Sequence, residues 1–100
     1  MNIEDIKFIA NHFGQTNQRC KLIEESGELS REISKDIAAD RSTSYHTLEE
    51  MADCLILIEQ LLYLKQKESN CDVAKLLGEI VDKKIERTLE RIEEGYYENN

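Results

Sequence analysis

The chain contains no proline and no tryptophan, and only four glycines among its 100 residues. Without proline nothing forces a helix to stop, and few glycines leave few positions for left-handed backbone. The three cysteines, Cys20, Cys54 and Cys71, are odd in number and widely spaced. No CxxC pair occurs, which argues against a zinc site and a disulfide framework; these residues read as small apolar fillers in a reducing compartment. Positive charge is scarce, with 13 Lys and Arg against 21 Asp and Glu, a net charge of −8. That balance argues against non-specific nucleic-acid binding, which needs a basic excess to displace counterions from phosphates. Long hydrophobic runs are missing too. The longest, CLILI (Cys54 to Ile58), is far too short to span a bilayer. The stretch MNIEDIKFIANHF carries three charges and does not read as a signal peptide. The expectation is a cytoplasmic protein with neither a nucleic-acid nor a membrane partner.

What remains is 40% apolar and 34% charged, rich in Glu, Lys, Leu and Ile. This is the composition of an all-α chain, and its length predicts one small domain over residues 1–100. Four helical segments follow, the parts of a four-helix bundle-like protomer. The first runs from about Ile3 to Phe13 and ends at Gly14. The second starts near Thr16 or Asn17 and reaches about Ala39. A polar turn, DRSTSYHT, leads to a third from about Leu48 to Lys67, and a fourth spans roughly Asp72 to Glu93. At 100° per residue the apolar side chains of the third segment cover almost its whole circumference. A helix apolar all round is buried on all sides. Three short neighbours can barely wrap it, so a homodimer or homotetramer is expected.

The acids carry the chemistry. On the second segment Leu22, Ser26, Leu29, Ile33 and Ile37 form the expected inward stripe, and Glu25 and Glu28 border it. These two are an i,i+3 pair whose side chains start roughly 5–6 Å apart. The third segment repeats the pattern with Glu50 and Asp53. Like charges beside a buried face repel unless a cation balances them. Two antiparallel helices presenting such pairs suit Mg²⁺, or Mn²⁺ as a substitute, which prefer oxygen ligands and fill the rest of their shell with water and phosphate. On the fourth segment the line Val73, Leu77, Ile80 continues into Lys84, Arg87 and Arg91, a switch from apolar to cationic that fits phosphate binding.

EESGE (Glu24 to Glu28), then 21 residues, then EMAD (Glu50 to Asp53) resembles the EExxE…ExxD signature of the MazG-like all-α nucleoside triphosphate pyrophosphohydrolases. The tail DKKIERTLERIEEGYYE is similar to the last helix of short, stand-alone members. The resemblance covers about Gln18 to Tyr97. It implies a homo-oligomeric helical bundle that uses Mg²⁺ to convert a (d)NTP and water to the monophosphate and pyrophosphate, with attack on the α-phosphorus. By motif position Glu25, Glu28, Glu50 and Asp53 would be metal ligands, and Glu24 would orient or deprotonate the water. Lys84 and Arg87 would meet phosphate, with Lys83 and Arg91 as alternatives, while Gln18 and Lys21 would line the nucleotide pocket; apart from the resemblance, Tyr96 reads as packing over the base or closing the bundle.

Other readings compete. The first acid group also reads as a solvated helix edge paired with Lys21 and Arg31. Glu50 also reads as the fourth position of a capping box, TLEE, begun by Thr47. Asp53 has no such alternative. The basic stripe also suits carboxylate pairing or the helix dipole. Neither His12 nor His46 forms the ExxH of di-iron bundles. At the level of function, the alternatives are a phosphoribosyl-ATP pyrophosphohydrolase and a non-catalytic helical adaptor.

Overall fold

The computed structural model describes residues 1–95, which are helical throughout apart from caps and two turns. The helices are α1 (Ile3–Ala38), α2 (Tyr45–Glu68) and α3 (Val73–Glu93), and no strand occurs among the described residues. α1 begins under Asn2, whose side chain accepts from the backbone N–H of Glu4 and Asp5. It is broken at Gly14, where φ is 82° and ψ 170°. The stretches on either side correspond to the first two expected segments. Space is open around that glycine, so the demand on it is conformational.

The chain divides into two compact units, Met1–Glu68 and Ser69–Asn100. In the first, α2 folds back along α1. The turn between them is tightly specified. Arg41 N–H bonds to the Asp36 carbonyl and Asp40 N–H to the Ile37 carbonyl, which is a Schellman closure with Asp40 at φ 52° where glycine is usual. The Asp36 side chain, 5% exposed, then accepts from Arg41 Nε (2.7 Å), Ser44 N–H (3.0 Å) and the buried Thr47 hydroxyl (2.6 Å). These three donors hold its carboxyl well below the usual carboxylate range, Thr47 contributing most. At the far end Asn11 donates to the Tyr63 hydroxyl and accepts from Lys67, while Lys7 and Lys67 lie over the Tyr63 ring.

Three expectations shift. α2 starts at Tyr45 rather than near Leu48, because Ser44 is the cap and its Oγ accepts from Thr47 N–H. Thr47 is therefore inside the helix, and the proposed capping box at Glu50 does not form. The inward face of α1 is also turned from the expected stripe. It follows two interleaved seven-residue rows, Gln18, Glu25, Glu32 and Leu22, Leu29, Asp36, all buried or half-buried. Ile37, by contrast, is 73% exposed. Seven-residue rows are what two antiparallel helices share along a seam. Third, α2 is not covered all round in this unit: with α1 as its neighbour there, Leu55, Ile56 and Ile58 stay open on its flank.

The apolar core of the first unit is small: Ile6 and Ala10 near one end, Cys54 and Leu57 in the middle. Polar residues buried with them bond in pairs across the two helices, Gln18 to Gln60 and Thr47 to Asp36. In the second unit Asp72 caps α3 by accepting from Lys75 N–H. Val73 is buried there; Lys84 and Arg87 are exposed, and Arg91 is half-buried. Lys84 lines an apolar groove with Val81, Ile85, Thr88 and Leu89. No described helix is long and apolar enough to cross a membrane. Tyr96 lies outside the described residues.

Candidate metal centre

The seam brings acids together from both helices. Glu25 on α1 and Glu50 and Asp53 on α2 each offer a carboxylate oxygen, and these oxygens lie within 4.8 Å of one another. Glu25 and Glu50 are half-buried, while Asp53 opens to solvent. Three like charges this close are unstable alone. Burial pushes the Glu50 carboxyl up, and Glu25, Asp53 and Glu28 push it further the same way. The Cys54 thiol beneath is raised by burial first and then by the same acids, which keeps it an inert filler.

Glu50 carries the most informative atom. Its Oε2 is buried and has no hydrogen-bond partner. A buried, orphaned carboxylate oxygen costs free energy unless a cation or donor meets it. Such a donor set, all oxygen and all anionic, fits a hard divalent cation. Part of the charge is already met at the rim. Lys21 Nζ lies 3.3 Å from Glu25 and 3.7 Å from Glu24. The bond to Glu25, and then the charge on Glu24, raise the Lys21 pKa.

The other expected residues take different positions. Glu24 is exposed, its carboxylate 3.7 Å from Lys21. Glu28 is half-buried with its carboxylate 2.6 Å from Arg31, outside the group of three, although its charge reaches Glu50. Lys84, Arg87 and Arg91 belong to the second unit. Gln18 and Lys21 do line the same cleft as Glu25 and Asp53, a space of about 200 Å³. Gln60 lines it too, and sequence reading missed it. The available signal was spacing: Gln60 follows Asp53 by the same seven residues that separate Gln18 from Glu25.

A family model for the MazG nucleotide pyrophosphohydrolase domain matches residues 13–92. No curated protein and no solved structure matches the chain. The matched stretch includes both halves of the acidic pattern and all three helices from the Gly14 break onward, and the chain belongs to the MazG nucleotide pyrophosphohydrolase family.

Proposed function

We propose that the chain is a Mg²⁺-dependent nucleoside triphosphate pyrophosphohydrolase, converting a (d)NTP and water to the monophosphate and pyrophosphate by attack at the α-phosphorus. One observation carries this reading: carboxylates converge from two facing helices around a buried Glu50 oxygen with no partner. When bound, the cation would polarise phosphate oxygens and lower the pKa of water. Glu25, Glu50 and Asp53 would hold it, with Glu28 joining after exchanging its Arg31 partner. Glu24, exposed beside Lys21, would orient or accept a proton from the attacking water. Lys21 sits at the rim, where a cation stabilises developing phosphate charge.

Lys84, Arg87 and Arg91 on α3 are proposed to bind the phosphates of the substrate or of the departing pyrophosphate. The family match crosses from one unit into the other, which supports reading residues 1–100 as one domain. The open flank of α2 at Leu55 and Ile58 supports self-association into a dimer or tetramer, and the net charge of −8 argues against a nucleic-acid partner. A cytoplasmic location fits the nucleotide pool as substrate source.

The test is pyrophosphate release over a panel of canonical and modified (d)NTPs, with Mg²⁺ or with EDTA. Metal-dependent release with a monophosphate product is expected. Silence on the panel with turnover of phosphoribosyl-ATP would replace the substrate; silence on both would remove the catalytic reading.

A further inference from the structure

Gln18 and Gln60 face each other across the α1–α2 seam, Gln18 Nε2 donating to Gln60 Oε1 at 2.6 Å. Both side chains are deeply buried, at 7% and 2% exposure. Two buried amides in so small a core are costly, and one hydrogen bond between them satisfies only part of their capacity. That bond leaves the Gln18 carbonyl oxygen as an acceptor and the Gln60 NH₂ as a donor. Both residues line the cleft that holds Glu25 and Asp53.

The spacing along the seam is regular. Each amide is seven residues from its carboxylate, about 10 Å at 1.5 Å per residue, on both helices. The level between is occupied by Lys21 on α1 and by Ile56 and Leu57 on α2. From one end to the other the cleft therefore offers carboxylates with the Lys21 ammonium beside them, then apolar side chains, then an acceptor beside a donor. A nucleotide has the same order: phosphate, a sugar, then a flat ring whose edge pairs a donor with an acceptor. The span from an α-phosphorus to that edge is of the same size as two helical turns.

We propose that the Gln18–Gln60 amide pair is the base-reading element of this site, taking the hydrogen-bonding edge of a nucleobase. It rests on the nucleotide reading above. The chemical class is any base with adjacent donor and acceptor, whether a lactam or an amidine edge. An ionised phosphate, which only accepts, does not qualify. Leu57 and Ile56 supply an apolar surface for the ring beside the amides.

The experiment compares a nucleoside triphosphate with ribose 5-triphosphate, which has the phosphates and no base. Wild type and Gln18→Met/Gln60→Met are assayed together. The double replacement removes both amides, so neither is left buried and unpaired. In the wild type kcat/KM should favour the base-bearing substrate. In the double variant that preference should shrink roughly 10- to 100-fold, the loss of two hydrogen bonds, because the nucleotide loses more than ribose 5-triphosphate does. A merely structural pair would lower both substrates alike, so an equal fall, or a preference that survives in the folded variant, overturns the proposal. Calorimetric binding of a nucleoside monophosphate against ribose 5-phosphate separates this outcome from catalysis. Base-dependent binding that the double variant loses, in a protein without hydrolysis, upholds the amide role and overturns the pyrophosphohydrolase reading alone. Wild-type binding that ignores the base overturns the amide role whether or not the protein is a catalyst.

Discussion

Thr47→Val exchanges a hydroxyl for a methyl of nearly the same volume at the base of the α1–α2 turn. Thr47 is almost completely buried, and its hydroxyl donates to Asp36 Oδ2 at 2.6 Å. Hydrogen bonds to charged groups contribute about 1.5–3 kcal/mol, and no water can replace this one at a buried position. Each kcal/mol moves the midpoint by about 4–8 °C in a domain of this size, so a fall in Tm of roughly 10–20 °C is expected at neutral pH. The pH dependence gives the sharper check. Asp36 is held below its ordinary pKa, so its contribution is present above the unfolded-state value and is lost as the pH falls toward the folded-state value. Thr47 is the largest cause of that depression. The gap between wild type and variant should thus be widest at neutral pH and narrow in acid. Thermal melts by circular dichroism at fixed protein concentration, from neutral pH down through the carboxylate range, measure it. A gap independent of pH, or no gap, would refute the clasp at Asp36.

Asp53→Asn should reduce turnover by a factor of 100 or more and remove the Mg²⁺-induced rise in Tm, while the metal-free fold is kept or stabilised because one of three like charges is gone. Pyrophosphate release and thermal shift on the same sample check both halves. Glu50 has a raised carboxyl pKa, so the folded state binds more protons than the unfolded one between the two values. Metal-free protein should lose stability at this site as the pH rises through that window. Glu50→Gln should flatten that pH dependence, as read by melts in EDTA. Gly14→Ala puts a side chain on backbone at φ 82° and ψ 170°, a region nearly confined to glycine, and should cost about 1–3 kcal/mol in urea titration.

Much of this site is written in the spacing of the acids. Asp53 lies inside MADCLILI, where an acid has no role in packing, and Glu50 and Asp53 do meet Glu25 across the seam. The helix limits were legible where a local signal dominates: a start near Ile3, a break at Gly14, and a last segment over roughly Asp72 to Glu93. They were misread where two caps competed. Both Ser44 and Thr47 can begin a helix, and the choice is made by Asp36, eight and eleven residues upstream, which binds them both. The inward stripe of α1 was misread for a similar reason. Periodicity favours the apolar Ile33 and Ile37, yet the seam selects the Glu25 and Asp36 rows because those residues find charge, donors or each other there. Gln60 was missed because an amide in EQLL reads as a polar interruption, and its spacing from Asp53 gains meaning only beside its partner, 42 residues away.

The most direct test of the central claim is hydrolysis in water enriched in heavy oxygen, with the products analysed by mass. The account predicts Mg²⁺-dependent formation of a monophosphate and pyrophosphate, with the label in the monophosphate, because water attacks the α-phosphorus. Label in pyrophosphate, a diphosphate with free phosphate, or no product from any nucleotide would contradict it.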